Sequence, residues 1–207
     1  MSYNVIAISR TLGAGGEDLG NALAKDLGFR YVDAEIIQKA SEAAGVSTET
    51  LGKVEARKGL LSRILENLGR ANTGGLYGAA EIPTIVPSEE PHWEQLIVDV
   101  IKETASAGDV VIVAHGASIP LAGHAGLLRI MVTAPEETRV ARIAKNESVT
   151  GAEAARQVAE SDRARADYFR RFYKLDHETP ENYDLTINTE VVGIPQARAA
   201  ILAILRD

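Results

Sequence analysis

The chain has 207 residues, 45% of them hydrophobic and 25% charged, with a formal charge of -7 and no cysteine. That length can enclose one sizeable core, so a single domain over residues 1–207 is expected. The acidic balance argues against a dedicated nucleic-acid binder. The missing cysteines exclude disulfides, thiolate nucleophiles and cysteine-held metals. No apolar run approaches the roughly 20 residues that a membrane helix needs, and residues 1–10 lack the pattern of a secretory signal, so a cytoplasmic location with no membrane partner is expected.

In chain order, residues 4–9 form a short apolar, β-branched run that stops at a glycine cluster, as a buried parallel strand does. Over residues 17–27, Leu19, Leu23 and Leu27 recur at helical spacing, and Gly28 suits a C-terminal cap. A second strand is expected over 29–32, ending at Asp33, with a helix over 34–44. Helical patterns return over 48–57 and 60–68. Residues 71–91 are rich in Gly and Pro without usable periodicity and read as a mobile insert or loop; the whole insert spans about 46–91. A helix is expected over 93–107. Strands are expected over 109–114 (DVVIVA) and 127–133 (LLRIMVT), the first being the clearest core strand of the chain. Pro135 suits a first helical turn, and helices are expected to about residue 146 and over 150–173. A short strand at 185–188 precedes a terminal helix opened by Pro195. Strands that alternate with helices predict an α/β fold, a mostly parallel sheet covered on both faces.

The first strand-to-helix junction reads Ser9-Arg10-Thr11-Leu12-Gly13-Ala14-Gly15-Gly16-Glu17-Asp18. Backbone N–H groups and a helix N-terminus at such a junction make an anion site, and phosphate is its natural occupant. A full Walker pattern would place glycine where Arg10 stands, keep Gly15, put lysine at Gly16, and follow it with serine or threonine. Only Gly15 fits. On the residues alone, the glycines could also serve merely to allow a tight turn. A dinucleotide fingerprint is the other reading, since Gly13 and Gly15 supply its first two glycines, but its third position is Asp18, a carboxylate that would repel a pyrophosphate. The four histidines, His92, His115, His124 and His177, show no ligand spacing, so no protein-held metal is expected.

Further on, Arg139 and Arg142 share a helical face, where like charges repel unless an anion lies between them. Asp162 lies within reach of Arg165 on one helix, so the carboxylate can aim the guanidinium. Residues 139–174 carry nine Lys or Arg against five Asp or Glu, a basic segment in an acidic chain. Phosphoryl transfer uses such cations around the transferred group, and a mobile arginine lid would also exclude water.

These segments resemble the cytidylate kinase-like family. The resemblance rests on Ile8-Ser9-Arg10 with Gly13-Ala14-Gly15-Gly16, on residues 31–37 (YVDAEII), on 134–142 (APEETRVAR), on Asp162 with Arg165, on 168–173 (YFRRFY) and on 183–189 (YDLTINT). It implies a three-layer P-loop NTPase fold with a helical lid over about 139–165. It also implies transfer of the terminal phosphoryl group of ATP to a nucleoside monophosphate or similar small acceptor, with Mg²⁺ held mainly by the phosphates. Ser9, Arg10, Gly13, Ala14, Gly15, Gly16, Glu17 and Asp18 would form the nucleotide loop. Arg139 and Arg142 would lie on the lid, Asp162 with Arg165 near the phosphates, and Asp33 toward the acceptor. Two positions depart from the family pattern. Glu17 stands where the family commonly has arginine, which should weaken donor binding unless Arg10 folds over the loop. His115 replaces an arginine that contacts the acceptor. These departures keep a second expectation alive, a nucleotide-binding protein that has lost transfer; a nicotinamide-dependent oxidoreductase is a third.

Overall fold

The computed structural model describes residues 3–33, 36, 93–113 and 116–206. The helices expected over 34–44, 48–57 and 60–68, the loop 71–91, and His115 lie outside the described residues, apart from a helical Ile36. The chain divides into two compact units, Met1–Asp33 with Ile101–Asp207, and Ala34–Val100. The site described below lies in the first.

Five strands, β1 (Val5–Arg10), β2 (Arg30–Val32), β3 (Val110–Val113), β4 (Leu127–Thr133) and β5 (Leu185–Asn188), form one sheet in the order β2-β3-β1-β4-β5. Every pairing is parallel, with Ile8 opposite Val113 on one side and Ile130 on the other. β1 and β3 are central and buried on both faces, which is why their sequences are continuous apolar runs. β4 buries Leu128, Ile130 and Val132 and leaves the residues between them partly open.

The helices are α1 (Gly16–Leu27), α2 (Trp93–Ser106), α3 (Glu136–Glu147), α4 (Gly151–Tyr173) and α5 (Ile194–Arg206). Leu19 and Leu23 of α1 and Ala197 and Ile201 of α5 join Ile6, Ile8 and Ile130 in one core cluster. Leu202 and Leu205 of the terminal helix are partly buried against the same cluster. The helices α3 and α4 enclose a smaller cluster, Ile143 with Ala154 and Val158, on which Leu12 of the glycine loop packs. Thr150 caps α4 by accepting from the Glu153 N–H at 3.2 Å. A short 3₁₀ turn, Pro180–Asn182, leads into β5 and had no separate signal in the sequence.

All five strands point their C-terminal ends to one edge. Chain connections from β1 run toward β2 on one side, while β4 lies on the other, so the sheet order reverses beside β1. A ligand in an open α/β sheet belongs at that crevice, and the glycine loop emerges from β1 there. No described helix is long and apolar enough to cross a membrane.

Candidate phosphate-binding site

The loop 11–15 is held in a tight conformation. The Ala14 N–H donates to Thr11 O at 3.1 Å, and the Thr11 N–H donates to Val132 O of β4 at 3.1 Å. Gly13 and Gly15 both adopt left-handed backbone angles, φ 80° and 82°. A side chain at Gly13 would also put its Cβ 2.9 Å from the Arg139 carbonyl oxygen, so strain and space both demand glycine.

Three consecutive carbonyls of this loop are fixed by side chains. Arg139 Nη1 donates to Leu12 O at 3.3 Å, Arg142 Nη1 to Gly13 O at 3.3 Å, and Thr189 Oγ1 to Ala14 O at 2.8 Å. Arg142 is itself anchored on Thr189, with Nη1 2.8 Å from the hydroxyl oxygen and Nη2 2.8 Å from the carbonyl oxygen. Acceptors that are consumed by α3 and by the residue after β5 cannot face a ligand. The α1 N-terminus, meanwhile, starts at Gly15 with no side-chain cap. An uncapped helix N-terminus beside a glycine turn presents N–H donors and the positive end of the helix dipole to an anion.

Arg139 and Arg142 therefore differ from their expected roles as neighbours with an anion between them: each is satisfied by protein acceptors. Arg139 is buried, with Nε on Ala134 O at 3.0 Å and a two-pronged pair to Asp162 at 3.0 and 2.7 Å. That arrangement also corrects the expected pairing of Asp162 with Arg165. A buried guanidinium requires a counter-charge, and Arg139 takes the carboxylate that a partly exposed neighbour three residues along the helix would otherwise share. Arg165 turns instead to Glu178, with both contacts at 2.6 Å, donates to Arg10 O at 3.0 Å, and lies over the Phe169 ring at 4.7 Å. Tyr183 donates its hydroxyl hydrogen bond to Glu178 as well, and burial pushes its phenol up to about 12. Glu178, Thr189 and Tyr31 were not singled out in the sequence. Thr189 closed a recognisable segment, but nothing local showed that its hydroxyl would reach across the sheet edge to the loop.

On the other side of the loop, Arg10 lies across Gly16 and places Nε 2.5 Å from Glu17 Oε1. Ser9 is buried beneath, and Asp18 faces solvent in the first turn of α1. Asp33 follows β2, close enough to Arg10, Glu17 and Tyr31 to feel each. Burial is the largest influence and raises its carboxyl to about 6, against the opposing pull of Arg10 and a hydrogen bond with Tyr31. Burial, then Asp33, raises the Tyr31 phenol. Because the folded Asp33 holds its proton to higher pH than the ordinary value of 3.8, its contribution to stability is lost as pH climbs from about 4 to 6. Asp33→Asn should remove that slope and gain on the order of 2 kcal/mol at pH 7 relative to pH 4. Denaturant melts of both proteins at the two pH values provide the check.

The fastening of the loop carries its own prediction. Thr189 is 3% exposed, and Thr189→Val would leave Arg142 without its hydroxyl acceptor and Ala14 O without its donor. A loss of about 2 kcal/mol is expected from the unsatisfied groups, measurable by chemical denaturation.

A surface hollow of about 390 Å³, bounded by Asp26, Leu27, Arg198 and Leu202, lies at the C-terminal end of α1, a helix length from the loop. It shares no residue with the site.

A parallel five-stranded sheet in this order, with a phosphate-type loop between the central strand and the first helix, defines the P-loop kinase fold. Within that class the chain belongs to the cytidylate kinase-like family, whose model matches residues 5–191. It is 27% identical over 93% of its length to a cytidylate kinase of Ignicoccus hospitalis, again covering 93% of that protein. It is 24% identical to a cytidylate kinase of Methanopyrus kandleri, over 89% of this chain and 84% of that one. Among solved structures, an uncharacterized protein from Eubacterium ventriosum superposes with a TM-score of 0.68 at 15% identity, covering 99% of both chains. A shikimate kinase from Bacteroides thetaiotaomicron does so with a TM-score of 0.53 at 12% identity, also over 99% of both.

Proposed function

We propose that this protein is an ATP-dependent phosphotransferase whose acceptor is a nucleoside monophosphate or a similarly small phosphate- or hydroxyl-bearing molecule. The observation that carries the reading is the outward fixing of the Leu12, Gly13 and Ala14 carbonyls beside an uncapped helix start. With its acceptors turned away, the loop offers donors to the β- and γ-phosphates. Membership of a kinase family and two relatives that are cytidylate kinases support the same direction.

In this reading the acceptor oxygen attacks the γ-phosphorus, the bond to the β–γ bridging oxygen breaks, and ADP leaves. The backbone N–H groups of Gly13, Gly15 and Gly16 would hold the donor phosphates. Arg139, Arg142 and Thr189 are positioning residues that set the cradle; Asp162 acts through Arg139, and Arg165 through the Arg10 carbonyl. Asp33, which follows β2, would face the acceptor. Mg²⁺ favours hard oxygen ligands, which the β- and γ-phosphates supply. The donor phosphates would hold most of the ion's coordination shell, and the ion would neutralise charge on the transferred group.

A coupled ADP-release assay with ATP, Mg²⁺ and each of CMP, UMP, AMP and GMP tests the proposal, run beside calorimetric titration of ATP. Turnover with at least one small acceptor is expected. ATP binding without turnover on any acceptor would leave a nucleotide-binding protein that has lost transfer.

A further inference from the structure

Set against the Walker pattern, the two ends of this loop have exchanged residue types. Arg10 stands where the pattern has its first glycine, and Gly16 stands where it has the lysine. The structure shows that the two changes are spatially coupled. A Cβ on Gly16 would lie 2.5 Å from Arg10 Cβ and 2.7 Å from Cγ, closer than any real side chain tolerates. The volume in which a lysine stem would begin is filled by the arginine stem coming from the end of β1. The Arg10 backbone is fastened there too, its carbonyl accepting from Arg165 at 3.0 Å.

We infer that Arg10 supplies the cation of this phosphate loop from the strand side, in place of a lysine on the helix side, and that Glu17 is a latch that holds the guanidinium until a polyphosphate displaces it. The inference rests on the phosphotransferase reading above and names the residue that replaces the loop lysine. Two features support it. Arg10 Nε, itself buried and without a hydrogen bond, lies 2.5 Å from Glu17 Oε1 as an ion pair, and the side chains, 21% and 40% exposed, leave part of each open beside the loop. Three other arginines that reach the loop are spent on its carbonyls, Arg139 on Leu12 O, Arg142 on Gly13 O and Arg165 on Arg10 O. A partly exposed ion pair is worth little in water, typically below about 1 kcal/mol. A di- or triphosphate that offers several charge-assisted acceptors can therefore take the guanidinium from it. The same exchange frees the Glu17 carboxylate as the anion arrives with its metal ion. The substitution of glutamate for arginine at position 17, which in isolation looks like a defect in a phosphate site, becomes the resting partner of a relocated cation.

The test is calorimetric titration of Mg²⁺-ATP, and of adenosine as a probe without phosphates, into the full chain and its variants, with thermal melts to confirm folding. Arg10→Ala should weaken ATP at least about tenfold, the usual weight of one charge-assisted contact, and leave adenosine unchanged. Glu17→Gln should tighten ATP about threefold or more by removing the competitor. The paired exchange gives a readout that a merely structural role would not move. G16K alone should bind ATP poorly because its stem collides with Arg10, whereas the double variant R10G/G16K, which restores the Walker order, should recover most of the affinity lost in R10G. Should R10A fail to fold, E17Q and the R10G/G16K pair still decide. Wild-type ATP affinity in R10A, an unchanged or weaker affinity in E17Q, or no recovery in the double variant overturns the inference while leaving the phosphotransferase reading standing. Absence of ATP binding to the unaltered protein overturns both.

Discussion

Arg139→Ala is expected to lower the unfolding free energy by about 3 kcal/mol, from the loss of four hydrogen bonds made by a buried guanidinium, two of them to carbonyls left without that donor. For a chain of this size that corresponds to a fall in Tm of about 6–12 °C. The effect should be large because one guanidinium serves three elements. It closes the start of α3 on Ala134 O, ties α4 through Asp162, and holds the glycine loop through Leu12 O. Arg139→Lys keeps the charge but cannot make the two-pronged pair, so an intermediate loss is expected. Differential scanning calorimetry of the three proteins checks the order. Equal melting temperatures would mean that the fastening contributes nothing to the fold.

Gly13→Ala is the second large effect, and it should fall on binding more than on stability. The residue needs φ near 80°, which costs an L-residue about 1–3 kcal/mol, and its new methyl group would press on Arg139 O at 2.9 Å. The loop can relieve both only by rotating its peptide planes, which would turn carbonyls toward the place proposed for phosphate. A loss of ATP affinity of at least about tenfold is expected for a cradle built from backbone donors. Titration of ATP into a variant shown to fold by circular dichroism measures it, and an unaltered affinity would contradict the proposed use of the loop.

The fold was legible where local pattern and long-range structure agree. Residues 110–113 and 127–133 announce themselves because a central parallel strand is buried on both faces and must be apolar throughout. The α1 start was legible from its glycines, since only they permit the backbone that precedes it. The partners of the arginines were not. Asp162 has a guanidinium three residues away on its own helix and another 23 residues away on α3, and only the burial of Arg139, a product of how α3 and α4 pack, decides between them. Glu178 likewise reaches Arg165 from the turn before β5, a juxtaposition that no periodicity encodes. The exchange of Arg10 and Gly16 was visible as two departures from a pattern. That they are one event in space needed the arginine stem to be seen filling the volume above the glycine.

The most direct measurement is the backbone amide spectrum of the ¹⁵N-labelled protein during titration with Mg²⁺-ATP. The amide signals of Gly13, Gly15 and Gly16 are expected to shift most, together with the Arg10 side-chain Nε–H. Shifts confined to the far end of α1, around Asp26 and Arg198, with the loop amides unmoved, would contradict it.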